Sequence, residues 1–307
     1  MELRQLRYLI AIVDEGGIRK ASRHLYLAQP SLSKALRQLE GELGVDLLRR
    51  GPEGIELTGA GAEFVAYARE IIERAAAAQA AMRQRVEQKS TKLRIGLLSG
   101  TIAAGELTGP ILERFHLDRP DVEVELHDIG MHDQASPLYS GEVDVAIVRL
   151  PLVERELDVV PLALDRTHLM VGAAHELADA DEVSLDDVLS YSMTPAVTPD
   201  YFLRFWHLDD LRGGSNVDRS LPPARTVAEV QLAVATGRVI AATVSMITRV
   251  LPNSLVRTVP LRDGPMSTIA VARQRADNRP VVRDFVEAAV AGAAAGIEQL
   301  PGAILPN

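Results

Sequence analysis

The sequence predicts an α/β chain in three parts: a small helical head closed by a short β-hairpin, one long helix, and a larger body of alternating strands and helices. Three observations carry this. Apolar residues recur at helical spacing through the first 43 positions, no proline interrupts residues 59 to 88, and from residue 93 apolar strand-like runs alternate with amphipathic helices. With 307 residues, 47% of them hydrophobic, the chain can fill two or three domain cores at ~100 to 200 residues each. A disordered or fibrous protein is excluded.

Composition removes further classes. The longest apolar run, residues 288 to 297, falls short of the ~18 to 20 residues that span a bilayer. The opening MELRQLRYLI carries Glu2 and lacks the long apolar stretch of a signal peptide, so a cytoplasmic protein with no membrane partner is expected. Cys is absent and none of the seven His are paired at i, i+4, so disulfides, thiolate catalysis, a metal site and a cofactor are not expected. The net charge of -9 is unevenly spread: residues 1 to 92 hold 15 Lys+Arg against 12 Asp+Glu, or +3, and the remainder 18 against 30, or -12. A basic head on an acidic body fits a head that meets phosphate, although chance variation between two surfaces gives the same contrast.

In the head, Leu6, Leu9, Ile10 and Val13 lie at helical spacing and Gly16-Gly17 ends the helix. A short second helix is expected from Ile18 to Leu25. A third begins at Gln29-Pro30, where Pro suits the first turn because its missing N–H would have no partner there. Leu32, Leu36, Leu39 and Leu43 form its apolar stripe, while Lys34, Arg37, Gln38 and Gly41 face the other way with Ser31 and Ser33 flanking them. That face fits a helix laid in a DNA major groove and an ordinary surface helix equally well. The decision comes from the following GVDLLRRGPEGIELTGAG, residues 44 to 61, which reads as strand, turn with Arg49 and Arg50 at its tip, and returning strand. Arginines on such a wing can hold backbone phosphates and fix register.

From Thr58, a plausible N-cap, the long helix follows, ~45 Å at 1.5 Å per residue. Phe64, Ala68, Ile71, Ala75, Ala78 and Met82 alternate in steps of four and three, the seam of a coiled coil, so dimerisation through this helix is expected. A helix packed on its own domain is the alternative. In the body, strands are expected at 93–98, 122–129, 144–150, 157–164, 168–173, 239–244 and 268–273. Helices are expected near 107–117, 185–189, 228–235 and 281–294. The βαβ order argues for an open, mainly parallel sheet.

The run QPSLSKALRQLEGELGVDLL and the LTGAG stretch, set within nearly 60 residues of matching spacing, resemble the winged helix-turn-helix of LysR-type transcriptional regulators. The resemblance implies that Gln29, Pro30, Ser31, Ser33, Lys34 and Arg37 contact DNA, with Arg50 on the wing. Ala28, Leu48 and Pro52 depart from the family's usual residues. The resemblance also implies a two-lobed α/β periplasmic-binding-protein-like effector domain. Its domains would be 1–58, 59–90 and 91–307, with lobe one at 92–162 and 266–295 and lobe two at 163–265. Ligand would sit in the cleft between lobes, at the carboxyl ends of strands.

Ser99, Gly100 and Thr101 follow the first body strand. Taken alone they make an ordinary turn, and the family position turns them into cleft residues. Arg149, ending the third body strand, could pair bidentately with a carboxylate, or could be a solvated strand end. Thr194, Pro195 and Thr226 correspond to the second lobe's share. The implied function is sequence-specific transcriptional regulation modulated by a small organic acid. Its expected partners are double-stranded DNA, the effector and further copies of the chain as homodimer or homotetramer, with RNA polymerase a candidate partner. The competing reading is a small-molecule-binding or enzymatic α/β protein without a regulatory role. Against catalysis stand the missing G-x-S-x-G, Walker and G-x-G-x-x-G motifs.

Overall fold

The computed structural model describes residues 1–24, 29–51, 54–86, 92–152 and 156–306, in two compact units divided between Ala80 and Ala81. No helix among the described residues is long and apolar enough to cross a membrane.

The first unit holds α1 (Leu3–Asp14), α2 (Ile18–His24), α3 (Gln29–Leu43), the hairpin β1 (Leu48–Gly51) and β2 (Gly54–Leu57), and α4 (Gly59–Val86) as far as Ala80. Its core gathers Leu6, Leu9 and Ile12 of α1 with Leu32, Leu36 and Leu39 of α3, all buried, as their helical spacing requires. The hairpin differs from expectation. It begins at Leu48, so Arg49 and Arg50 belong to the first strand, opposite Glu56 and Ile55, and not to the turn. Gly44, with φ +70, turns the chain after α3 and leaves Val45 43% exposed, which keeps the preceding residues out of the ladder. Ala28 and Pro52 lie outside the described residues.

Glu40 of α3 ties this corner together: its carboxylate accepts from the backbone N–H groups of Leu47 (2.9 Å) and Leu48 (3.2 Å). Thr58 caps α4, its hydroxyl accepting from Gly61 N–H at 2.9 Å and donating to Asp46 O at 2.7 Å. Thr58→Ala is expected to lower the stability of the head by about 1 kcal/mol in chemical denaturation, the typical cost of a lost cap.

The first half of the expected seam of α4 packs within the head. Ala68 is fully buried in the head's own core, and Phe64 and Ile71 pack against the same core. Arg69 also pairs with Asp14 of α1. The first turns of α4 therefore act as a fourth helix of the head's core. Ala75 is half-buried and Ala78 exposed; the Met82 side chain lies outside the description.

The second unit runs β3 (Lys92–Leu98), α5 (Thr108–Asp118), β4 (Glu123–Ile129), α6 (Ser136–Ser140), β5 (Val145–Arg149) and the long β6 (Leu157–Gly172). Then come α7 (Leu185–Val188), α8 (Asp200–Trp206), α9 (Asp209–Arg212), α10 (Val227–Ala235), β7 (Ala241–Val244), α11 (Ile247–Val250), β8 (Val256–Pro260), β9 (Met266–Gln274) and α12 (Pro280–Gly296). Strand order is β4-β3-β5-β9-β6-β7, with β8 also on β6. Only β3–β4 and β3–β5 are parallel; β5–β9, β6–β9, β6–β7 and β6–β8 are antiparallel, so the expected mainly parallel sheet is a mixed one.

β6 is one strand where two were expected. Residues 157–166 pair with β9 and residues 167–172 with β7 and β8, so the strand itself carries the chain from one half-sheet to the other. A register shift between Pro161 and Ala163 accommodates the proline, which has no N–H for the ladder. On the first half-sheet, α12 lies hard against α5. A Cβ on Gly292 would stand 2.7 Å from Ile111 Cα, and Phe115 meets Phe285 edge to face at 5.2 Å. The small residues of the AGAAAG run are what this close approach needs.

Candidate functional site

The head presents a polar helix face. Gln29, Pro30, Ser31, Lys34 and Arg37 are exposed and Ser33 is half-buried, whereas the three leucines behind them are buried. Arg37 Nε donates to Ser33 O at 3.3 Å within the helix, which leaves its guanidinium on the solvent side. Arg49 is held by Glu56 across the hairpin at 3.1 Å. Arg50 sits in the ladder opposite Ile55; its side chain lies outside the description.

The body holds a cavity of about 110 Å3 at the carboxyl ends of β3 and β5, lined on the far side by residues from α8, α10 and β7. Ser99, Arg149 and Thr194 line it, as do Met131, Phe202 and Trp206. Ser99 holds φ 49 and ψ 46, a left-handed conformation that costs a residue other than Gly about 1 to 2 kcal/mol. Its N–H donates to Ile129 O at 2.8 Å, which holds the turn in place.

The other expected cleft residues are each next in sequence to a lining residue. Gly100, Thr101, Pro195 and Thr226 are not among the lining residues. The Gly100 N–H donates to the Asp128 carboxylate at 2.8 Å, so an acid of the chain already holds the donor expected for an anionic ligand. Pro195 O accepts from Ala224 N–H, and the Thr226 hydroxyl caps α10 by accepting from Glu229 N–H at 3.2 Å.

Arg149 is the central departure. Only 3% exposed, it donates from Nη1 to Ser267 Oγ at 2.7 Å and from Nη2 to Asp165 Oδ2 at 3.3 Å, while its backbone N–H donates to Gln134 Oε1 at 3.1 Å. Asp165 is itself fully buried. Burial draws the Arg149 guanidinium below its ordinary pKa, opposed by the charge of Asp165, and pushes the Asp165 carboxyl above the usual carboxylate range, opposed by the charge of Arg149. The expectation of an Arg149 open to a ligand carboxylate is thus corrected: its counter-ion is built into β6.

His207, on the opposite wall, was missed in the sequence, as were Met131, Thr198, Phe202 and Trp206. Its Nε2 lies 2.9 Å from Thr194 O; since a carbonyl only accepts, Nε2 carries the proton and Nδ1 is left as an acceptor. Burial lowers the His207 pKa, so the ring is neutral. The run YFLRFWHL, residues 201–208, holds four of the chain's 12 Phe, Trp and Tyr, a concentration that signals an apolar wall.

Comparison with known proteins agrees with this organisation. The family described as bacterial regulatory helix-turn-helix protein, lysR family, matches residues 3–62, and the LysR substrate binding domain matches residues 87–294. The Hca operon transcriptional activator HcaR of Escherichia coli (strain K12) is 33% identical over 208 residues, 64% of this chain and 69% of that protein. The HTH-type transcriptional regulator BenM of Acinetobacter baylyi is 31% identical over 191 residues, 62% of each chain, and thus matches over less than two thirds of its length. Full-length BenM superposes with a TM-score of 0.54 at 25% identity, covering 98% of this chain and 100% of BenM. Full-length CbnR bound to its target DNA shares the fold with a TM-score of 0.51 at 22% identity, over 95% of this chain and 100% of CbnR. The chain belongs to the LysR family: it is a DNA-binding transcriptional regulator with an amino-terminal helix-turn-helix and an effector-binding body.

Proposed function

We propose that Gln29, Pro30, Ser31, Ser33, Lys34 and Arg37 enter the major groove of double-stranded DNA, with Arg50 on neighbouring phosphates, and that a small molecule in the body cavity sets how paired heads engage two half-sites. The observation that carries this reading is the polar face of α3, open to solvent while Leu32, Leu36 and Leu39 anchor the helix from behind. CbnR, which shares this fold, has been solved on its target DNA, in keeping with that role for the head. The protein acts as a homodimer or homotetramer in this reading, and RNA polymerase is the machinery that it influences. A ligand that fits one arrangement of the two half-sheets better than another shifts the population toward it, and the heads report that shift.

Arg37→Ala tests the contact surface. Because Arg37 is exposed and holds no other element in place, thermal unfolding is expected to stay unchanged. Operator binding in a salt-controlled gel shift is expected to weaken by about 1 to 3 kcal/mol, the usual worth of a base-edge arginine. Unchanged operator affinity removes Arg37 from the interface.

A further inference from the structure

We infer that the body cavity selects a compact, electrically neutral and mainly apolar molecule, about one six-membered ring in size and bearing a hydroxyl, and discriminates against free carboxylates. The inference rests on the reading that this cavity is the effector site, and names the class of molecule that it takes.

Size comes first. The cavity measures about 110 Å3. An engineered apolar cavity of ~150 Å3 takes up benzene, so this smaller one limits its ligand to about the size of one ring. Its walls are mostly hydrocarbon and aromatic, with Met131, Phe202, Trp206 and Ile247 among them. Such walls favour an apolar body.

Several polar groups on the walls are committed. The Thr194 hydroxyl donates to Ile240 O at 3.1 Å, and the Thr198 hydroxyl donates to Met131 O at 2.8 Å. Arg149 is balanced by Asp165 and also donates to Ser267. A ligand carboxylate would have to displace Asp165 or stand beside it, and two buried carboxylates on one guanidinium repel.

Three buried atoms on lining residues are without a hydrogen-bond partner among the described residues: His207 Nδ1, an acceptor, and Trp206 Nε1 and Arg149 Nε, both donors. A hydroxyl can donate to the first or accept from one of the other two. A carboxylate has no proton to offer His207.

The test is calorimetry on the full-length protein at about pH 8, where simple carboxylic acids are ionised, using matched pairs: benzyl alcohol against benzoate, and 3-methylbutan-1-ol against 3-methylbutanoate. Each alcohol is expected to bind at least about tenfold more tightly than its acid. A carboxylate binding as tightly as its alcohol overturns the inference, as does the absence of alcohol binding at millimolar concentration.

Asp165→Asn, which removes the compensating charge, is expected to raise benzoate affinity by at least about tenfold. A folded Asp165→Asn protein with unchanged discrimination overturns the charge argument; if that variant does not fold, the wild-type pairs decide alone. Val230→Phe, filling the cavity wall on α10, separates the two levels of the claim. Loss of alcohol binding supports the site, whereas alcohol binding that survives it places the ligand elsewhere and removes the reading beneath the inference.

Discussion

Gly61→Ala is expected to abolish specific DNA binding, although helix propensity alone predicts a gain of about 1 kcal/mol from replacing a helical Gly by Ala. The opposite sign follows from one close approach. A Cβ at Gly61 would stand 1.9 Å from Leu47 O and 2.8 Å from Leu47 C, inside any real contact, and the obstacle is backbone. Leu47 cannot retreat cheaply. Its carbonyl accepts from Thr58 N–H at 3.0 Å, its own N–H donates to Glu40 at 2.9 Å, and its side chain is fully buried. Moving Leu47 therefore loosens the hairpin from α3 and α4 together. Overpacking costs ~1 to 3 kcal/mol where side chains can yield, and here only backbone can yield, so the loss reaches or exceeds the upper end. Gel shifts with operator DNA and amide exchange across residues 1–80 would read it. Wild-type operator affinity in Gly61→Ala, with α4 at least as protected as before, would sink the idea.

Periodicity in the sequence identifies apolar faces but not what covers them. Leu32, Leu36 and Leu39 sit where their spacing puts them, since one amphipathic helix needs only one core. The same kind of pattern on α4 was expected to meet a second chain, and its first three residues, Phe64, Ala68 and Ile71, pack into the head's own core. β8 escaped notice because its buried residues, Val256 and Val259, fall three apart and break the alternation of a half-buried strand. Arg149 shows the limit for the site. An arginine ending an apolar strand is visible in the sequence, yet its counter-ion lies 16 residues on, inside a strand expected to break near Asp165. Charge balance in a cavity depends on pairing across strands, which one-dimensional spacing does not encode. The aromatic wall of α8 was legible as composition; its place in the cavity was not.

Asp144→Ala is expected to destabilise the body by about 3 to 5 kcal/mol, the cost of removing one partner from a buried ionic network. Asp144 stands at the entry to β5, where its carboxylate accepts from Arg94 N–H (2.8 Å), Arg94 Nη2 (2.9 Å) and Arg279 Nη2 (2.5 Å). Arg279, buried just ahead of α12, also pairs with Asp277, so losing Asp144 removes an acid that two guanidiniums share. The network pins β3, β5 and α12 at the strand ends opposite Ser99 and Arg149, so the walls of the cavity depend on it for register. Its pH signature follows from the direction of the shift. Burial by itself would raise the Asp144 pKa, but hydrogen bonds from Arg94 and the charge of Arg279 outweigh it and hold the carboxyl below its ordinary 3.8. A carboxyl depressed on folding contributes its full stability above the unfolded-state pKa and loses it as pH falls through the folded value. The difference between wild type and Asp144→Ala in urea denaturation should therefore be full at neutral pH and shrink below about pH 4. A variant within about 1 kcal/mol of wild type at neutral pH, or a gap that widens in acid, would show that Arg94 and Arg279 are satisfied without Asp144.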